Sequence, residues 1–235
     1  MRIDKLLSEL GIASRKESAA VARRGGITVN EKVVKDASVH VDPERDTVTY
    51  LGRTVSYDKY VYVMLNKPEG YVSATDDKSL PYVTELLPEE LRRRELFPVG
   101  RLDRDTVGLM ILTNNGQLAH TVLSPRHHVT KKYYFRCADA LAKGTEERFK
   151  NRITLADGYE CREADIVLEE GRASGYITLT EGKYHQIKRM IAASGSRVTY
   201  LERVEFAGIA LDRSLSRGEY RYLTADEIGK LMKTN

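Results

Sequence analysis

Cysteine is scarce in this 235-residue chain. Only Cys137 and Cys161 occur, without CxxC spacing, which argues against a disulfide framework and against a thiolate zinc site. No apolar run approaches the roughly 20 residues needed to cross a bilayer. The opening residues, Met1-Arg2-Ile3-Asp4-Lys5, have no secretory apolar core and carry an acid at once. A cytoplasmic protein with no membrane partner is therefore expected. There is no P-loop, no GxGxxG and no HExxH, so the sequence offers no support for nucleotide-phosphate, dinucleotide or zinc-hydrolase chemistry. Internal repeats and low-complexity segments are also missing. Aromatic residues make up only 8%, yet 41% of the chain is hydrophobic and 31% charged. That composition supplies a core and argues against disorder.

Net charge is a modest +4, but it is unevenly placed. Residues 1–35 hold eight cations (Arg2, Lys5, Arg15, Lys16, Arg23, Arg24, Lys32, Lys35) against four acids (Asp4, Glu9, Glu17, Glu31), and 8 − 4 accounts for the whole excess. A basic segment joined to a neutral body points to phosphate anchoring by one part and chemistry by the other. Ile3, Leu6, Leu7 and Leu10 have helical spacing, and Gly11 ends that helix. Ser14 and Glu17 form a capping box for a second helix that stops at Gly25-Gly26. Ile27–Val29, a turn at Asn30-Glu31-Lys32, and Val33-Val34 read as a hairpin. The first module is expected to span residues 1–56.

From residue 60 to 235 a second domain is expected. Val61, Val63 and Leu65 alternate as a strand before Asn66-Lys67-Pro68-Glu69-Gly70 turns the chain. Helical signals fall at 84–95, 117–123, 141–150 and 184–194, the last with Ile187, Met190 and Ile191 on one face. Strand signals fall at 133–138, 163–168 and 175–180. Strands and helices without a βαβ rhythm imply an α+β fold.

The richest stretch is Gly100-Arg101-Leu102-Asp103, which is followed by Arg104 and then an apolar run from Val107. A carboxylate flanked in sequence by two arginines suits an aspartate kept ionised and used directly on a substrate, with no metal. His127-His128 are adjacent, so their rings diverge and do not converge on one ion.

Three further clusters accompany that stretch: residues 66–73 (NKPEGYVS), 124–133 (SPRHHVTKKY) and 181–190 (EGKYHQIKRM). With Leu201-x-Arg203, Gly208 and Arg221-x-Leu223 near the C-terminus, their order and spacing resemble the RsuA-type pseudouridine synthases, which act on ribosomal RNA. Residues 1–56 resemble the S4 RNA-binding module through Arg2–Leu7, Gly11, Ala13-Ser14-Arg15, Gly26 and Val29-Asn30. Glu31 stands where that module usually has glycine.

The resemblance implies an S4-like anchor and a catalytic domain built on a central mixed, mostly antiparallel sheet. It implies catalytic roles for Asp103, Tyr133, Lys188 and Arg101. Asp103 is the essential carboxylate, acting at uracil C6 or at the ribose. Tyr133 stacks on the uracil, Lys188 pairs with Asp103, and Arg101 reaches phosphate or fills the gap left by a flipped-out base. RNA contacts are expected from Arg2, Lys5, Arg15, Lys16, Arg23, Arg24, Lys131 and Arg189. No metal or organic cofactor is expected, because the isomerisation uses only the substrate's own atoms. The partner implied is ribosomal RNA or an assembling ribosomal subunit, with the protein a monomer. The wording of the last motif, with His185 and Gln186, resembles the branch acting on small-subunit rRNA. The alternatives are a large-subunit target, a non-catalytic assembly factor, or an S4-linked methyltransferase. The last would need a glycine-rich nucleotide loop that the sequence lacks.

Overall fold

The computed structural model describes residues 1–124 and 126–233; Pro125, inside the second cluster, and the last two residues lie outside it. The chain divides into two compact units, Met1–Val61 with Leu87–Leu96, and Tyr62–Leu86 with Phe97–Asn235.

In the first unit, α1 (Ile3–Glu9) and α2 (Arg15–Arg23) pack on a four-stranded sheet of order β2-β1-β3-β4. Its strands are β1 (Ile27–Val29), β2 (Lys32–Val33), β3 (Val48–Tyr50) and β4 (Arg53–Thr54). Ile3, Leu6 and Leu7 are buried with Ala22, Ile27 and Val48 in one apolar cluster, as the helical spacing requires. The capping box forms: the Glu17 amide donates to Ser14 Oγ at 3.2 Å, and the Ser14 amide to the Glu17 carboxylate at 2.7 Å. Asn30 and Glu31 both take positive φ, 46° and 67°, the geometry of a tight two-residue hairpin turn. Glutamate thus occupies the left-handed position that glycine would fill without strain. The Asn30 side chain holds the turn by accepting from the Thr47 amide (2.9 Å) and donating to Asp46 (2.8 Å).

The helix expected over 84–95 is broken at Pro88. A 3₁₀ turn (Val83–Leu86) precedes it, and the short α3 (Glu89–Arg92) starts just after it, where a proline's missing N–H costs nothing. Residues 87–96 belong to the first unit, where Arg93 reaches Glu17 at 3.6 Å; the sequence reading places them in the second domain.

The second unit is built on a nine-stranded sheet. Its strands are β5 (Tyr62–Lys67), β6 (Phe97–Pro98), β7 (Val107–Thr113), β8 (Lys131–Cys137), β9 (Asp165–Leu168), β10 (Ser174–Leu179), β11 (Val198–Phe206), β12 (Ile209–Ala210) and β13 (Tyr220–Tyr222). The main order is β13-β5-β7-β11-β8-β10-β9, with β6 on β7 and β12 on β11. Only β7 and β11 run parallel, so the sheet is mixed and mostly antiparallel, as expected for an α+β fold. The helices are α4 (Gly116–Leu123), α5 (Thr145–Lys150), α6 (Gln186–Ala193) and α7 (Ala225–Met232).

β5 and β7 are buried at every position. The alternation read at Val61, Val63 and Leu65 implies one wet face, but β5 lies inside the sheet between β13 and β7, with both faces covered. Gly108 on β7 pairs in register with Arg203 on β11 at φ +100°, and a side chain there would put Cβ 2.4 Å from the Arg203 carbonyl oxygen. Only glycine allows that approach. The 141–150 helix is shorter than expected, starting after Gly144, whose φ of 86° no helix accommodates.

Candidate active site

Asp103 sits on the loop between β6 and β7, and residues of the first cluster hold that loop from beneath. Lys67, at the end of β5, is fully buried, and its ammonium donates to the carbonyls of Pro68 (3.1 Å), Asp103 (3.1 Å), Arg104 (3.2 Å) and Thr106 (2.8 Å). Burial pushes this lysine down to about 8, against the pull of Asp105 and Asp103. Ser73 Oγ donates to the Leu102 carbonyl at 2.7 Å and accepts from the Leu102 amide at 2.9 Å. The Gly70 amide donates to the Arg104 carbonyl at 2.9 Å. The Asn66–Ser73 stretch thus works as a cradle, and the backbone under Asp103 is fixed by hydrogen bonds that do not use its carboxylate.

The third cluster supplies the opposite wall. Its loop is organised by Glu181, which accepts from the Tyr159 hydroxyl (2.8 Å), from the Arg162 amide (2.8 Å) and from the Gln186 side chain. The Gln186 side chain also accepts from the Lys183 amide at 2.8 Å. His185 takes φ 48°, so α6 starts at Gln186 and not at Tyr184. Ile187, Met190 and Ile191 are buried, leaving Lys188 to face the loop.

There Lys188 Nζ lies 3.1 Å from Asp103 Oδ2 and 2.6 Å from Asp105 Oδ1. His185 Nε2 is 3.6 Å from the other Asp103 oxygen. Partial burial works against the Lys188 charge, but the bonds to Asp105 and Asp103 outweigh it and raise its pKa above the ordinary lysine value. For Asp105 the same balance ends below the usual carboxylate range: burial raises it, and Lys188 more than reverses this. The cations adjacent in sequence do not do this work. Arg104 donates to the Gly70 carbonyl at 3.2 Å, and Arg101 is exposed at the cavity mouth with no acid paired to it among the described residues.

Asp103, Lys188, Arg101 and Tyr133 line one cavity of about 90 Å³, with Thr106, Leu179, Glu181–Lys183 and Leu201. Tyr133 comes from β8, in register with Arg203 of β11 and Ile177 of β10, and is 8% exposed. The structure therefore brings the four expected catalytic residues together. Of the expected RNA contacts, Lys131 lies one strand repeat from Tyr133, whereas Arg189 pairs with Asp157. Arg2, Lys5, Arg15, Lys16, Arg23 and Arg24 are exposed in the first unit, where Arg2 is paired with Asp4 (2.7 Å) and Lys5 lies 3.6 Å from Glu9. His127 and His128 are exposed, His128 touching Arg162. Among the described residues no three His, Cys, Asp or Glu side chains could hold a metal ion.

The sequence reading did not name Asp105, and it quoted Lys67 and Arg203 in motifs without giving either a role. Asp105 was legible, two residues beyond Asp103. Lys67 looked like an exposed turn residue beside proline, and nothing local marks it as buried. Arg203, 1% exposed, donates through Nε to the Leu109 carbonyl at 2.7 Å and lies over the Phe206 ring at 4.9 Å.

Comparison with known proteins identifies the family. The RNA pseudouridylate synthase family pattern matches residues 61–193, and the S4 domain pattern residues 1–47. The uncharacterized RNA pseudouridine synthase YtzG of Bacillus subtilis (strain 168) is 42% identical, covering 97% of both chains. Ribosomal small subunit pseudouridine synthase A of Escherichia coli (strain K12) is 37% identical over 99% of this chain and 100% of its own. A crystal structure titled as a pseudouridylate synthase superposes with a TM-score of 0.69 at 34% identity, covering 98% of this chain and 99% of the other. These matches over nearly the whole length mean that the chain belongs to the RNA pseudouridine synthase family and carries an N-terminal S4 domain.

Proposed function

We propose that the protein isomerises a uridine of small-subunit ribosomal RNA, with Asp103 as the essential carboxylate. The observation that carries the site assignment is the Lys188–Asp103 contact at 3.1 Å over the cavity that Tyr133 lines. Pseudouridine formation breaks the N1–C1′ bond and joins C5 to C1′, so the reacting base must leave the helix stack. In this reading the uracil enters the cavity against Tyr133, whose ring offers a stacking surface. Asp103 acts at C6 or at C1′; both roles call for an anion in a partly dehydrated pocket, and Lys188 places an opposite charge 3.1 Å from it. Arg101 stands at the mouth, where it takes the strand's phosphate or the gap left by the base. The small-subunit target is supported by the relatives that bear that name, including the Escherichia coli protein and one of Vibrio vulnificus at 38% identity. The exposed cations of the first 35 residues supply the RNA anchor.

Asp103→Asn keeps the shape and the hydrogen bonds but removes the charge and the reactive oxygen. Tritium release from rRNA labelled at uracil C5 is expected to fall to background, with the melting temperature and RNA affinity close to wild type. Wild-type release by the folded variant would overturn the assignment. Mapping of pseudouridine in small- and large-subunit transcripts treated with the protein tests the target, and modification of the large-subunit transcript alone would refute it.

A further inference from the structure

A second cavity, of about 180 Å³, adjoins the first and shares Glu181, Gly182 and Lys183 with it. Its remaining wall includes Lys131, Tyr159 and Arg162. Three cations thus surround a hollow whose one acid, Glu181, is already bonded to Tyr159, Gln186 and the Arg162 amide. The Lys131 ammonium donates only to the Val129 carbonyl (3.0 Å) among the described residues, which leaves two N–H directions uncommitted. Lys183 Nζ lies 5.0 Å from the centre of the Tyr159 ring, and the Arg162 guanidinium touches the His128 ring and forms no ion pair among the described residues. Residues 181–183 line both cavities, and Gly182 puts no side chain between them. A Cβ built there meets nothing within 4 Å.

We propose that this second cavity is a subsite for the nucleotide next to the target uridine, its phosphate held by Lys131, Lys183 and Arg162. An RNA strand whose uridine has turned into the first cavity still has a phosphate a few ångströms away, and in this adjoining hollow three cations outnumber the one acid, Glu181. Burial, with Arg203 nearby, holds the Lys131 ammonium down to about 8, so an arriving phosphate would relieve an unfavourable charge. The subsite rests on the uridine occupying the Asp103–Tyr133 cavity, and the test separates the two.

The full-length protein is titrated calorimetrically at low salt with the nucleoside uridine, which has no phosphate, and with the trinucleotide UpUpU. The wild type is expected to bind the trinucleotide about tenfold or more tightly than the nucleoside, since a charge-assisted phosphate contact contributes at least that factor. Replacing Arg162 and Lys183, both exposed, by glutamine is expected to reduce that ratio to about threefold or less, and adding Lys131→Gln to abolish it. Gly182→Leu, whose backbone angle suits any residue, is expected to lower the ratio by blocking the passage without touching a charge. A ratio unchanged in the exposed double variant and in Gly182→Leu would overturn the subsite. Failure of the wild type to bind either probe would overturn the uridine-cavity reading and the subsite with it.

Discussion

At the residue scale, Lys188 stands between two carboxylates, and this sharing sets what its replacement does. With Lys188→Met, Asp103 and Asp105 both lose the ammonium they contact, and His185 is left 3.6 Å from Asp103. Turnover is expected to fall by about a hundredfold or more, with KM changed by less than about threefold, if the lost charge serves the aspartate proposed to react and not binding. Lys188→Arg should keep part of the rate, since guanidinium stays charged but is planar and larger. Steady-state kinetics with tritium-labelled rRNA reads both; a methionine variant at wild-type rate would leave Asp103 without its proposed support. The pH sign follows from the raised Lys188 value. The stability from this pair is complete below the ordinary lysine pKa and is lost only as pH rises through the higher folded value. Thr106 makes a second residue-scale case. It is 1% exposed, and its hydroxyl has no partner among the described residues. An unsatisfied buried hydroxyl costs about 1–3 kcal/mol, so isosteric Thr106→Val is expected to stabilise the fold by about 1 kcal/mol. A lower melting temperature would show that the hydroxyl has a partner in solution.

At the element scale, the β1–β2 hairpin makes its turn without glycine. A left-handed L-residue costs about 1–2 kcal/mol, and glycine's larger unfolded-state entropy takes back part of any gain from replacing it. Glu31→Gly is therefore expected to raise stability by about 0.5–1 kcal/mol, read as a higher denaturant midpoint at unchanged m-value. A lower midpoint would mean that Glu31 makes a compensating contact. The hairpin, α1, α2 and their cap were legible in the sequence because each is specified by neighbours: apolar spacing, a Ser-x-x-Glu box, and asparagine at a turn. β11 was not. Glu202, Arg203 and Glu205 disguise a nine-residue strand, and its charges are accommodated only by distant partners such as Arg213 and Arg217 on Glu202. The same divide runs through the site. Asp103, Tyr133 and Lys188 could be picked out by their resemblance to a known pattern. The cradle by which Lys67 holds the Asp103 loop depends on carbonyls 36 to 39 residues away, which no local signal reveals.

At the scale of the whole molecule, the excess positive charge is concentrated in one short stretch of the chain. All of the +4 arises within residues 1–35, but the structure shows that these cations are not equivalent. Arg2 forms two hydrogen bonds to Asp4 (3.0 and 2.7 Å), and Lys5 has Glu9 at 3.6 Å. Arg15, Lys16, Arg23 and Arg24 are exposed and form no ion pair among the described residues. A cation already paired must give up its carboxylate to take a phosphate, and it releases fewer counterions from the RNA in net terms than a free one. The salt dependence of binding should therefore rest mainly on the four free residues. Each phosphate contact contributes about 0.7–0.9 to the slope of log affinity against log salt, so replacing all four by glutamine is expected to lower the slope by about three. Replacing Arg2 and Lys5 is expected to lower it by less than about one, by the same relation. Filter binding of small-subunit rRNA between low and moderate salt measures both, with a thermal melt to show that each variant is folded. Equal losses per residue in the two sets would mean that the Asp4 and Glu9 pairings do not persist on RNA. An unchanged slope in the quadruple variant would place the RNA on a different face of the protein.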